Sequence, residues 1–193
     1  MVQRLLQEPA KLSNVTSRSY AHPNGFRKLV VAETDSGATL RVHHWPVGGA
    51  EGSNIHNHRW AFSSVIVAGR TRSALFTFTD DGAPVERYRF ESGQAGRQYE
   101  LVAVGRERLT ATSIYELGPG SIYTLSAEQL HQVCCDPGTV SMVLTGPAER
   151  DHTDVFRSAR LEPQSLYLEP LRPSEVSESL ELTKAKLAIF QGQ

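Results

Sequence analysis

The residues best suited to chemistry in this sequence are two histidines in the segment 53–60, SNIHNHRW. His56 and His58 are two residues apart at the predicted start of a strand, where side chains at i and i+2 point to the same face. If that face lines a small barrel, two imidazoles converge on one point, and neutral imidazole is the commonest protein ligand for transition metals. His131, in the apolar segment 129–133, is the predicted third ligand. Together the three histidines predict a mononuclear metal site.

The elements that must position these side chains are short strands separated by turn residues. Ten strands are predicted, at 28–33, 39–45, 60–67, 71–78, 85–90, 99–104, 109–117, 121–125, 129–134 and 139–144. Turn residues stand between many of them, as in Asp80-Asp81-Gly82 and Gly118-Pro119-Gly120. Many strands in a row with little helical periodicity predict an all-β antiparallel barrel or sandwich.

Both ends of the chain differ from this body. Residues 1–24 are polar and predict a short helix and an arm along the barrel, which spans 25–160. The helix-start signal Arg172-Pro173-Ser174-Glu175 and apolar residues at helical spacing predict a C-terminal helix over 172–190. We expect this helix to pack on the outside of a single domain of 193 residues, the alternative being a partner-binding face.

Composition narrows the expected partners and compartment. Lysine plus arginine (20) nearly balance aspartate plus glutamate (21), so neither nucleic acid nor a membrane is an expected partner. The N-terminus lacks the pattern of a signal peptide, and a cytoplasmic location is expected. Cys134 and Cys135 are adjacent and poorly placed for a disulfide, which indicates a reducing compartment. They are either small buried apolar residues or a soft ligand or redox thiol near His131.

Two sets of residues have the spacing of a known pair of motifs. His56, His58 and Gly69 match a His-x-His pair and the glycine that closes the next hairpin, and Gly120 precedes His131 at the spacing of the second motif. Through these residues the region from about 25 to 157 resembles the cupins, and within them the cysteine dioxygenase group. The resemblance implies a double-stranded β-helix, which is a small jelly-roll barrel. The alternative is an accidental set of histidines in a lipocalin-like or other jelly-roll protein.

The glutamate of the first cupin motif is absent, since Phe62 or Ser63 stands at its position. A set of three histidines without a carboxylate is what the thiol dioxygenases use with Fe(II), and the resemblance therefore implies Fe(II) and O2. Neutral imidazoles also suit Zn, Ni, Cu or Mn.

The resemblance also identifies candidate substrate-binding residues. The segment 25–30 is similar to the one whose arginine binds the substrate carboxylate, which makes Arg27 a candidate anion clamp. Ser63 stands where the family has its crosslinking cysteine and is a further candidate pocket residue. Val143 and Thr145 replace an assisting histidine and tyrosine. We therefore expect a small carboxylate- or thiol-bearing substrate related to cysteine rather than cysteine itself.

Strand parity adds other candidates. Trp60 shares the parity of His58 and forms either a pocket wall or barrel core. Arg41 shares the parity of His43 and is either a second cation in the pocket or part of an outward salt bridge. One of His43 and its neighbour His44 must point inward. Tyr123, on the strand leading toward His131, is a candidate acid or base or else a packed tyrosine.

These residues support three functional hypotheses. The first is a metal-dependent dioxygenase-type cupin with iron bound by the three histidines. The second is a cupin that binds a small molecule without turnover, or one whose Zn or Ni performs isomerase or lyase chemistry. The third is a barrel without metal. A homodimer is expected only by analogy with the fold.

Overall fold

The computed structural model describes residues 8–49, 53–92, 98–160 and 164–191. The helices are α1 (Pro9–Arg18) and α2 (Pro173–Gln191). The strands are β1 (Tyr20–His22), β2 (Phe26–Glu33), β3 (Thr39–Trp45), β4 (Ile55–His56), β5 (Phe62–Ala68), β6 (Thr71–Ser92), β7 (Gln98–Leu117), β8 (Ile122–Leu125), β9 (Leu130–Cys135), β10 (Thr139–Thr145), β11 (Thr153–Arg157) and β12 (Gln164–Tyr167). Neither helix has a stretch that is both long and apolar enough to span a membrane.

The strands form two six-stranded antiparallel sheets. Sheet one has the order β1-β2-β3-β10-β5-β8, and sheet two has the order β11-β4-β9-β6-β7-β12, with β11 also paired to β6. Side chains from both sheets line one cavity, as expected for a small jelly-roll barrel. The predicted all-β barrel of small jelly-roll type with a C-terminal helix is thus confirmed.

Helix α2 packs against the outer face of sheet one. Val176 and Leu180 are fully buried there and join a core with Leu29, Val42 and Val140. Because side chains alternate along a strand, Val42 faces the helix, whereas its neighbours Arg41 and His43 face the cavity. The C-terminal helix therefore covers the sheet without entering the cavity.

The longest strands correct the sequence-based boundaries. The pairs of strands predicted at 71–78 with 85–90, and at 99–104 with 109–117, are single strands β6 and β7 that form one long hairpin. Phe78 and Ala83 both pair with Leu109, so residues 79–82 form a bulge and the strand continues beyond it. The predicted turn at Asp80-Asp81-Gly82 is wrong because pairing resumes on the same partner strand.

Gly69 is required by the close approach of two turns. Its φ is +77°, in the left-handed region, and a Cβ atom there would lie 2.6 Å from the Cα of Thr139. The glycine therefore lets the connection from β5 to β6 cross directly over the start of β10.

Candidate metal centre and its cavity

The three predicted histidines come together on sheet two. His56 is the last residue of β4 and lies directly opposite His131 of β9 in the strand register. His58 follows two residues later and turns its ring to the same side. The ring centroids are 4.5 Å apart for His56 and His131, 4.9 Å for His56 and His58, and 5.1 Å for His58 and His131. One potential ligand nitrogen from each ring lies within 4.8 Å of the others.

The protonation of this cluster favours metal binding. His56 Nδ1 is 2.7 Å from the carbonyl oxygen of Asn54. A carbonyl can only accept a hydrogen bond, so Nδ1 carries the proton and the Nε2 lone pair is free. Burial lowers the pKa of all three histidines, and the neighbouring imidazoles lower those of His58 and His131 further. Neutral imidazoles are the form that binds a metal.

The contact between His58 and His131 brings two potential ligand atoms together. Their Nε2 atoms are 2.9 Å apart. Two ring nitrogens at this distance require either a shared hydrogen or a shared positive ion. Since no carboxylate belongs to the cluster among the described residues, the donor set is neutral and suits Fe, Zn, Ni or Cu better than Mg or Ca.

Asn57, between the first two histidines, is fixed from the opposite side. Its amide group donates to Asp154 Oδ2 (3.0 Å), and its side-chain oxygen accepts from the backbone N–H of Asp154 (2.7 Å). Arg87 and Arg150 bind the same carboxylate at 2.9 and 2.7 Å. The sequence pattern did not predict this network, because Asp154 lies on β11, which was not among the predicted strands. The available sequence signal was the position of Asn57 between His56 and His58, which directs its side chain to the opposite face.

A cavity of about 1180 Å³ extends from the histidines between the two sheets. Its described lining includes five basic side chains, those of Arg18, Lys28, Arg41, Arg59 and Arg157, and one acidic side chain, that of Glu33. Arg18 binds Glu33 at 3.2 Å. The remaining charge is positive, so the cavity favours an anionic small molecule.

Trp60 lies between His58 and three basic side chains over its ring, those of Lys28, Arg41 and Arg59, which we call the basic wall. Its ring lies 6.2 Å from that of His58, and the guanidinium carbon of Arg41 lies 4.3 Å from the Trp60 ring centroid. Trp60 and Arg41 both line the cavity. Trp60 is therefore part of the pocket wall, and Arg41 is an inward-facing cation. His43 also lines the cavity, whereas His44 points outward and its Nδ1 is 2.9 Å from Ser179 Oγ of α2.

Tyr123 also lines the cavity, near Phe62. Burial raises the pKa of its hydroxyl to about 12. At neutral pH the phenol therefore keeps its proton and can donate a hydrogen bond or a proton, but it is a poor base.

Two predicted pocket residues lie elsewhere. The guanidinium of Arg27 binds Glu178 of α2 at 2.7 Å, with Glu175 at 3.6 Å, and Arg27 is not part of the cavity lining. Ser63 bonds Thr124 on the outer face of sheet one (2.8 Å), while its neighbour Phe62 faces the cavity. In both cases strand alternation gives the reason: the inward position belongs to the adjacent residue.

The two cysteines are free thiols outside the cavity lining. Burial raises the pKa of Cys135 to about 12, which keeps it a thiol. Cys134 is half-buried, and neither thiol joins the histidine cluster. Their placement agrees with small packed residues rather than a soft ligand.

Comparisons with known proteins describe the fold. No protein-family model matches the chain, and no curated protein matches it. Similar solved structures include an RmlC-like cupin from Shewanella frigidimarina NCIMB 400 (14% identity, 69% of this chain and 86% of that one, TM-score 0.43) and KdgF from a Halomonas species (16%, 69% and 87%, TM-score 0.41). Another is the hydroquinone 1,2-dioxygenase PnpCD in complex with Cd²⁺ and 4-hydroxybenzonitrile (15%, 71% and 71%, TM-score 0.38). These similarities concern the barrel alone, and the function must be argued from the residues of this chain.

Proposed function

We propose that this protein is a mononuclear metal-dependent oxygenase that acts on a small anionic molecule with O2. The metal, which we propose to be Fe(II), is held by His56, His58 and His131. The observation that carries the proposal is the convergence of three neutral imidazoles at one end of a cavity whose described lining has more basic than acidic side chains.

Each group of residues in the site would have a separate role. The neutral histidines would leave the metal its positive charge and open positions, and the metal would supply Lewis acidity and electron transfer. The basic wall beyond Trp60 would orient the substrate. Tyr123, protonated at neutral pH, would donate a hydrogen bond to an oxygen atom of the substrate. The Asn57 and Asp154 network would hold the first two histidines in place.

Oxygen consumption tests this proposal directly. Protein reconstituted anaerobically with Fe(II) would be mixed with a panel of small carboxylates and thiols in an oxygen electrode. We expect at least one member to give consumption that is absent in His56→Ala and in protein reconstituted with Zn. Equal consumption by His56→Ala would contradict a role for the histidine cluster.

A second candidate function is non-oxidative isomerase or lyase chemistry. One observation favours it: the cavity contains proton-carrying groups away from the histidines. Lys28 Nζ lies 2.7 Å from the hydroxyl of Tyr20, and both residues line the cavity. With Zn or Ni on the histidines, such a pair could move a proton on the substrate. Turnover of the same panel under strictly anaerobic conditions with Zn- or Ni-loaded protein would favour this function over the oxygenase.

A further inference from the structure

We propose that Lys28 and Arg41 form a carboxylate-binding subsite on sheet one, separate from the three histidines. This inference rests on the proposed function only for the reaction that follows binding. It identifies the substrate class as small carboxylates whose reacting atom lies beyond Trp60, toward the histidines.

The first support is the burial of two basic side chains at one place. Lys28 is 8% exposed and Arg41 is 9% exposed, and both side chains line the cavity. Buried basic groups are ordinarily paired with acidic ones. The ion pairs found among the described residues include neither of them, and Glu33, the one acidic side chain in the described part of the lining, binds Arg18.

The second support is unsatisfied hydrogen-bonding capacity. Arg41 Nε and His43 Nε2 are buried and have no partner within the described parts of the chain. They stand two residues apart on β3 and face the same side. Because a buried polar atom without a partner is costly, such atoms indicate where a ligand binds. A carboxylate has the acceptors to satisfy the guanidinium fork.

The third support is that neighbouring aromatic side chains hold both basic groups at the cavity, with Lys28 and Arg41 both over the Trp60 ring. Lys28 Nζ donates to the Tyr20 hydroxyl at 2.7 Å, and the Arg41 guanidinium lies 4.3 Å from the Trp60 ring centroid. Burial, together with Arg41 and Arg59, lowers the pKa of Lys28. A bound anion would supply the missing counter-charge and favour the charged form of the lysine.

Benzoate binding to metal-free protein tests the subsite. Protein treated with EDTA would be titrated with benzoate, and with the neutral match benzamide, by isothermal titration calorimetry at pH 7. We expect saturable benzoate binding that is at least tenfold weaker in Arg41→Met and in Lys28→Met. Benzamide should bind at least tenfold more weakly than benzoate to the unchanged protein.

The matched control is Arg27→Met. Arg27 is adjacent to Lys28 on β2, but its guanidinium binds α2, so benzoate affinity should stay within twofold. Thermal unfolding would establish that each variant is folded. Should Arg41→Met fail to fold, Arg41→Lys keeps the charge without the planar fork, and we expect a several-fold loss.

Two results would overturn the subsite. One is benzoate affinity in the folded Arg41 and Lys28 variants equal to that of the unchanged protein. The other is an absence of benzoate binding to the unchanged protein. The His56→Ala variant should bind benzoate normally, because the subsite excludes the histidines. A protein that binds benzoate through Arg41 but takes up no metal would refute the proposed function and leave the subsite intact.

Discussion

His56, His58 and His131 contribute no charge as ligands, so a divalent cation bound to them keeps its full positive charge. An anionic substrate would therefore be attracted from two directions, by the cation and by the basic wall that includes Arg41. The lowered pKa values of His58 and His131 keep both imidazoles neutral, which is the form that binds a metal ion. At the scale of single residues, the site thus combines neutral ligands with a positive cavity.

The Asn57→Ala variant tests how the first two histidines are positioned. We expect metal affinity to fall by about 10- to 100-fold, since groups that orient metal ligands have effects of that size. Asp154 would also lose a buried hydrogen-bond partner. The measurement is competition with a metal chelator of known affinity, and Asn14→Ala is the control, because Asn14 is exposed on α1, away from the histidines. Unchanged affinity in Asn57→Ala would show that the histidines need no such support.

Much of the site could be predicted at this scale. The His-x-His spacing was enough to place two imidazoles on one face. Strand parity linked Arg41 to His43 and Trp60 to His58 but left the direction of each pair open, and the structure places all of them in the cavity lining. Arg27 and Ser63 lie outside the cavity lining, and in each case the adjacent residue, Lys28 or Phe62, faces the cavity. Their prediction came from motif alignment, and a shift of one residue on a strand moves a side chain to the other face.

At the scale of elements, glycines and the C-terminal helix fix the barrel around the site. The helix packs against sheet one through Leu180, and its Ser179 forms a hydrogen bond with His44 of β3. Strands β1, β11 and β12 are absent from the predicted strands, and the strand expected to begin at His56 and His58 is only the two-residue β4. Short segments carry too little periodicity to be recognised, and tertiary pairing defines them.

The Gly69→Ala variant tests the turn that precedes the long hairpin. We expect a loss of about 3 kcal/mol in the free energy of unfolding, because alanine is strained at φ +77° and its Cβ meets the backbone of Thr139. Gly138→Ala is the matched control: φ is +76°, but no atom lies within 4 Å of the added Cβ. It should cost about 1 kcal/mol. Chemical denaturation measures both, and equal losses would contradict the steric argument.

The Leu180→Ala variant tests whether α2 is structural. Leu180 is fully buried against sheet one, so we expect a loss of about 3 kcal/mol of stability. Metal content should be unchanged, because the helix lies on the face opposite the cavity. Ile189→Ala, at a side chain that is 57% exposed, should change stability by less than about 0.5 kcal/mol. Reduced metal content in folded Leu180→Ala would argue that the helix supports the site.

At the scale of the whole molecule, the cavity makes stability depend on pH. Burial, followed by the nearby cations Lys28 and Arg41, lowers the pKa of His22 and His43 below the ordinary value of 6.5. The unfolded chain therefore binds more protons than the folded one as the pH falls below about 6.5, and folding stability falls in that range. Each histidine can contribute up to about 1.4 kcal/mol per pH unit.

Thermal unfolding of metal-free protein between pH 7.5 and 5.5 measures this effect. We expect the melting temperature to fall as the pH is lowered, and to fall less steeply in the double variant His22→Gln/His43→Gln. Carboxylates with lowered pKa values, such as Asp154, change stability below about pH 5, outside this range. The same slope in both proteins would contradict the assignment to these two histidines.

We propose that His56 of β4, His58 just after β4 and His131 of β9 hold one metal ion. The most direct test is elemental analysis of protein purified without chelators and without an affinity tag, beside the His58→Ala and His44→Gln variants. We expect close to one transition-metal ion per chain in the unchanged protein and in His44→Gln, whose imidazole faces α2, and none in His58→Ala. Full metal content in His58→Ala, or no metal in the unchanged protein after reconstitution, would contradict it.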